Sequence, residues 1–186
     1  MSGTSASSDN MVFYWIEPIV KGEANWILFT AVCQQGLLMS GLGRGPKDEE
    51  SYLKELAILV KRYLPGSSIV RDREANLEVI KELREYLGGQ RREFAIKLYP
   101  LGTEFQLKVW QELTRIPYGE TCSYSDIARK VGCSQGQRAV GLANNRNPLG
   151  VVVPCHRVIG KKGDLVGYAG GLEIKRMLLE LEKQGK

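Results

Sequence analysis

One pair of neighbouring side chains in this sequence can make a strong nucleophile, a thiol beside an imidazole. Cys155 and His156 stand in Pro154-Cys155-His156-Arg157-Val158, after the apolar run Val151-Val152-Val153, and His156 is the only histidine of the 186 residues. The thiolate is the reactive form of cysteine, and imidazole is the side chain best suited to take its proton near neutral pH. Adjacent residues on a regular strand point to opposite faces, so these two groups need a turn, a bridging water or both. Pro154 has no N–H to donate and restricts Val153, which ends an extended run and starts a tight turn at Cys155. The same pair also fits a small buried thiol packed beside a core histidine, and Cys-His alone does not separate the two readings.

The wider pattern does. PCHRV, with Asn144-Asn145-Arg146-Asn147-Pro148 upstream and Gly167-Tyr168-Ala169-Gly170-Gly171-Leu172 downstream, resembles the O6-alkylguanine-DNA alkyltransferases, also called methylated-DNA-protein-cysteine methyltransferases. The resemblance runs without a gap from Thr103 to Glu182. Relatives that bind lesions without repairing them carry tryptophan at the nucleophile position, whereas this chain has Cys155. The activity implied is DNA repair by direct reversal. The partner implied is double-stranded DNA containing O6-alkylguanine, with O4-alkylthymine as a second possible lesion, and no cofactor is required.

The chemistry follows from the leaving group. Loss of the alkyl group from O6 restores the ordinary guanine lactam, so in-line attack by the Cys155 thiolate on the alkyl carbon gives an S-alkylcysteine. A thioether has no carbonyl for water to attack, so each protein is consumed by one repair. His156, acting through a water, is the candidate base, and the resemblance assigns the carboxylate behind it to Glu182. Glu182 lies one turn after Leu178, at the edge of the stripe Ile174, Leu178, Leu181, which predicts partial burial; a solvated residue on a charged helix is the alternative. Asn147 is expected to hold the turn that carries Cys155, or to end a helix before Pro148. Tyr124 is expected to donate a proton or a hydrogen bond to the departing guanine, with an aromatic core position as the alternative.

A base inside a duplex must be flipped out to react. Arg138 matches the family's arginine finger, which fills the vacated place in the stack. Ala139, Gly141 and Ala143 give its helix a small-residue face suited to close approach to DNA, and the resemblance puts that helix in the minor groove. The flipped base is expected to lie between Tyr168, Ala169, Gly170 and Gly171 on one side and the Val158 backbone on the other. Many relatives have serine where this chain has Ala169, which leaves the backbone amide but removes a hydroxyl.

The elements that must position these groups fall into an α+β fold. Val12 to Ile19, Asn25 to Cys33 and Leu37 to Leu42 read as strands broken by turn residues. Glu49 to Tyr63 and Glu74 to Tyr86 have helical apolar spacing, and Phe94 to Leu98 reads as a further strand. These define an N-terminal α+β domain over 11–99, which the resemblance makes ribonuclease-H-like, after a serine-rich tail or vector remnant over 1–10 that is expected to be disordered. The resemblance makes residues 100–186 the alkyltransferase and DNA-binding domain, mostly helical and winged-helix-like. In it, Thr103 and Gln106 make a capping box for a helix through Val109, Trp110 and Leu113. Ser123 to Val131, a Gly132-Cys133 turn, and Ser134 to Asn145 opened by a Ser134/Gln137 box read as helix-turn-helix.

Charge supports that division. Residues 1–97 carry 13 Lys/Arg and 13 Asp/Glu, whereas residues 98–186 carry 13 and 8, so the whole net charge of +5 lies in the second half, the expected nucleic-acid surface. No stretch approaches the roughly 20 apolar residues needed to span a bilayer, so the expectation is a cytoplasmic protein, nuclear in a eukaryote, acting as a monomer with no membrane and no obligate protein partner. Cys33, Cys122, Cys133 and Cys155 show no CxxC spacing, and with one histidine they exclude a structural zinc cluster of the kind some relatives carry. Two other functions fit parts of the pattern. A helix-turn-helix regulator would need a dimerisation element and long polar side chains on its second helix; a cysteine hydrolase would need direct thiol-imidazole contact, an oxyanion hole and turnover.

Overall fold

A computed structural model of the protein describes residues 10–21 and 24–185. The tail expected over 1–10 lies outside the described residues except for Asn10. Two compact units are present: the described residues up to Ile80 with Ile96–Leu101, and Lys81–Ala95 with Gly102 onward. The fold is α+β.

In the first unit, strands β1 (Met11–Lys21), β2 (Ala24–Cys33) and β3 (Gly36–Gly43) form an antiparallel meander. Helix α1 (Gly45–Tyr63) follows, with Pro46 in its first turn, where a missing N–H costs nothing. The chain then adds β4 (Ser68–Arg71) parallel to β1, for a sheet order β3-β2-β1-β4. Val12, Ile16, Phe29, Ala31, Leu38 and Met39 of the sheet cluster with Leu56 and Val60 of α1. β4 is short and mostly exposed, which hid it from a search for apolar alternation. The strand expected at Phe94 to Leu98 is not formed. Only Lys97 to Tyr99 approach β3, where the Leu37 N–H donates to Lys97 O at 2.8 Å and the Tyr99 N–H to Leu37 O at 2.9 Å.

Helix α2 (Leu77–Leu87) follows a single 3-10 turn at Glu74–Asn76. The chain passes from the first unit to the second within this helix, so Lys81–Ala95, placed by sequence in the 11–99 domain, groups with the C-terminal unit. The reason is apolar: Leu83, Tyr86 and Leu87 are buried, spaced to share one helical face, and Tyr86 packs on Phe94 and Tyr118.

The second unit continues with α3 (Glu104–Thr114), capped by the expected Thr103/Gln106 box. Strand β5 (Cys122–Ser123) leads into α4 (Tyr124–Lys130), whose N-cap Ser123 forms a capping box with Asp126. Helix α5 (Gln137–Asn145) begins three residues later than the sequence indicates. The Ser134 side chain does not cap it; instead Gln137 Nε2 donates to the Ser134 carbonyl at 2.8 Å and Gly136 takes the N-cap position. Strand β6 (Val158–Ile159) pairs in parallel with β5, and α6 (Leu172–Gln184) closes the unit.

Candidate active site

Cys155, His156 and Arg157 form one turn of 3-10 helix, and all three side chains are buried. The run before them is not a regular strand. Val151 has φ of +74°, a left-handed conformation rare for a β-branched residue, and its side chain is buried. That conformation folds the chain back so that the Val153 N–H reaches Leu149 O at 2.8 Å. Asn147 spans the same turn, accepting from the Leu149 N–H at 3.0 Å and donating to Val153 O at 3.0 Å. Asn144, a residue to which the sequence attached no role, donates to the Cys155 carbonyl at 3.4 Å.

From this turn His156 reaches α6. In that helix Ile174, Leu178 and Glu182 repeat every four residues and are all buried. Glu182 therefore occupies the stripe itself rather than its edge, and the partial burial expected is complete burial. Its Oε1 lies 2.9 Å from His156 Nε2, and it accepts from the Tyr86 hydroxyl at 2.5 Å and from Arg157 Nη2 at 2.8 Å. Arg157 Nε lies 3.0 Å from both carboxylate oxygens, and the Gly119 N–H donates to Oε2 at 2.9 Å. Arg157 Nη1 is satisfied by the Ile116 carbonyl at 2.6 Å. His156 Nδ1 is buried with no partner among the described protein groups.

The electrostatics follow from this packing. Burial alone would raise the pKa of Glu182, but hydrogen bonds from His156, Arg157 and Tyr86 outweigh it and bring the carboxyl down to about 2. Burial pushes the His156 pKa down, against the pull of Glu182. Burial likewise pushes the Cys155 thiol up, opposed by the Asn147 side chain and the charge of Lys175. Lys175, fully buried, is a second residue missed in the sequence. Its ammonium donates to Val158 O at 2.5 Å and Val166 O at 2.7 Å, and burial lowers it to about 8.

The segment before α6 packs over this centre. The Tyr124 hydroxyl, at the first position of α4, lies 3.0 Å from Val166 O and 3.1 Å from Gly167 O; burial, then the nearby Cys155, pushes it up to about 12. Tyr168 and Gly170 are half-buried and Ala169 is exposed, in a turn closed by the Gly171 N–H on Tyr168 O at 3.0 Å. Val158 is buried, its carbonyl engaged by Lys175 and its N–H by Cys155 O.

On α5, Arg138 and Ala139 are exposed and Gly141 is half-buried. Ala143 corrects the expected small-residue face. It is buried, its carbonyl accepts from Trp110 Nε1 at 2.9 Å, and with Val140 and Asn144 it forms the inward face set by the helical period. Leu142, 52% exposed, stands on the outward side instead. Among the described residues no cluster of three His, Cys, Asp or Glu could hold a metal ion, and no helix is long and apolar enough to cross a membrane.

A buried thiol next in the chain to a buried imidazole–carboxylate pair fits the class of cysteine-dependent proteins. The comparisons make the class specific. A family profile described as 6-O-methylguanine DNA methyltransferase, DNA binding domain, matches residues 104–184. The Mycobacterium leprae methylated-DNA–protein-cysteine methyltransferase is 51% identical over 134 residues, 72% of this chain and 81% of its own length. The inducible Bacillus subtilis enzyme of the same name is 41% identical over 92% of this chain and 90% of its own. Among solved structures, Mycobacterium tuberculosis OGT in complex with DNA matches with a TM-score of 0.72 at 36% identity, over 94% of both chains. This chain belongs to the methylated-DNA–protein-cysteine methyltransferase family.

Proposed function

We propose that this protein repairs O6-alkylguanine in double-stranded DNA by moving the alkyl group irreversibly to Cys155. The observation that carries the assignment of the acceptor is the geometry of one 3-10 turn. It buries the thiol and, at the next residue, places an imidazole on a buried carboxylate at 2.9 Å. A carboxylate can only accept, so His156 Nε2 carries the proton of that bond and Nδ1 presents its lone pair. In the reaction the thiol proton passes through a water to Nδ1. The S–C bond forms as the O6–C bond breaks, guanine leaves with the bonding pair, and the proton is returned to the base. Asn147 fixes the nucleophile's turn, and Tyr124 offers its hydroxyl to the base edge, exchanging its present backbone carbonyls for the substrate.

DNA binding falls to α4 and α5, with α5 in the minor groove. The target nucleotide is flipped out at a cost of roughly a few kcal/mol, and Arg138 fills its place. The base is held between the Tyr168–Gly170 turn and Val158. The protein acts as a monomer inside the cell.

The test is a titration with excess methylated duplex. Restored guanine is expected to plateau at one equivalent per active protein, with one methyl mass on the peptide containing Cys155. Multiple turnovers, or the methyl group on Cys33, Cys122 or Cys133, would overturn the proposal.

A further inference from the structure

The geometry points to Arg157, assisted by Tyr86, as the positioning pair that keeps His156 neutral at rest, by neutralising Glu182 before the thiol proton arrives. The inference rests on Cys155 as acceptor. It concerns the state from which Cys155 reacts.

A carboxylate behind a histidine ordinarily favours imidazolium, and imidazolium beside cysteine favours a stored thiolate. Here the carboxylate is already engaged. Arg157 takes both oxygens through Nε and adds Nη2 on Oε1, Tyr86 donates to the same oxygen, and the Gly119 amide takes Oε2. Arg157 is itself fixed, with Nη1 on Ile116 O and its guanidinium 5.8 Å from the Tyr118 ring. Charge counting then favours neutral histidine. Around His156 stand Glu182 and Lys175 of α6, Arg157 and Cys155 of its own turn, and Tyr86 of α2; Tyr118 lies beyond Tyr86. With Glu182 matched by Arg157, a charged imidazole would add a second cation to a buried site that already holds Lys175. Burial shifts the titration of both Cys155 and His156 toward the neutral forms, in keeping with that count.

The consequence is a nucleophile held as a thiol until substrate is bound. His156 then works as a base during the transfer, and the buried thiol is guarded from other electrophiles. Removing the guanidinium leaves Glu182 with charge to spare, raises the proton affinity of His156, and moves the thiolate–imidazolium pair to lower pH.

The test uses the full chain with free O6-benzylguanine, reading the alkylation rate of Cys155 against pH and the adduct position by mass spectrometry. If the unsubstituted protein carries no benzyl group on Cys155, the acceptor assignment fails and this inference with it. With that adduct present, Arg157→Met is expected to move the midpoint of the pH profile at least about one unit toward acid, a tenfold change in proton affinity. Arg157→Lys, which restores a cation, is expected to recover at least half of that shift. An unchanged or alkaline-shifted midpoint in folded Arg157→Met overturns the inference. If Arg157→Met does not fold, Tyr86→Phe decides, because it removes one donor to Glu182 and keeps the ring on Phe94 and Tyr118. A smaller acid shift upholds the inference, and no shift overturns it.

Discussion

The cores of the two units are built on different terms. Beneath the sheet, Val12, Ile16, Phe29, Ala31, Leu38, Met39, Leu56 and Val60 pack as aliphatic and aromatic side chains, and the main ion pair, Glu17 with Arg73, reaches solvent through an arginine that is 49% exposed. In the second unit, His156, Arg157, Lys175 and Glu182 are all buried alongside Cys155 and Tyr86. The first core derives its stability from area removed from water. The second must first recover the cost of desolvating charge, which it does through the shared oxygens of Glu182 and the carbonyls that hold Lys175 and Arg157. Substitutions in the first core should therefore be felt as stability, and those in the second as stability, acid sensitivity and chemistry together.

The largest break in that contrast is Cys155→Ser. The hydroxyl is far less acidic than the thiol and the relay cannot activate it, so transfer is expected to be abolished while affinity for methylated duplex stays within a few-fold. Retained transfer would remove Cys155 from the reaction.

Glu182→Gln comes next, because it leaves Arg157 buried without its anion. Loss of one partner of a buried pair costs about 3–5 kcal/mol. Repair at neutral pH is expected to fall and to recover partly in alkaline buffer, since the amide no longer stabilises an imidazolium. The pH dependence of stability should change as well. Glu182 is held at about 2 when folded and has an ordinary carboxylate value when unfolded, so its contribution is present above the ordinary range and is lost as pH falls toward 2. His156, depressed by burial, acts in the same direction at higher pH, because the unfolded chain binds its proton first. Melting temperatures of the parent protein should therefore drop in two acid windows, and Glu182→Gln should flatten the lower one. An unchanged melting profile would mean that Glu182 is not bearing the buried charge.

A matched pair of leucines sharpens the comparison. Leu56→Ala in α1 and Leu178→Ala in α6 each remove a fully buried side chain, at about 2–5 kcal/mol. Below the melting range, Leu56→Ala should leave the rate with free O6-benzylguanine within twofold. Leu178→Ala should slow it several-fold, because the same helix positions Lys175 and Glu182. Equal rates in the two variants would erase the distinction between the cores.

Arg138→Ala is expected to have the most confined effect. It should slow repair of duplex DNA about ten- to a hundredfold, the scale of the flipping energy, and leave the reaction with free O6-benzylguanine nearly untouched. Equal losses on both substrates would move Arg138 from the DNA face into the pocket.

Much of this was legible in the sequence because it depends on short-range pattern. The three strands of the meander show in their β-branched and aromatic runs, α3 shows in its capping box, and the reactive pair shows in Pro-Cys-His. The elements missed have equally physical reasons. β4 pairs along an exposed edge and needs no apolar alternation, while Phe94 to Leu98 has strand-like residues but meets β3 only through the hydrogen bonds around Leu37. Gly136 displaced Ser134 as the cap of α5, and Ala143 follows Val140 by three residues onto the buried face of that helix.

The sequence by itself determined which residue could be the acceptor and which family it belongs to, because a cysteine, a histidine and their flanking motifs are adjacent in the chain. Only the tertiary structure decided how those groups are charged. Tyr86, Gly119, Arg157 and Glu182 are far apart in sequence and meet at one carboxylate. Whether a buried imidazole, thiol or amine keeps its proton depends on the distances between such groups and on the water excluded around them, and local sequence carries no record of either.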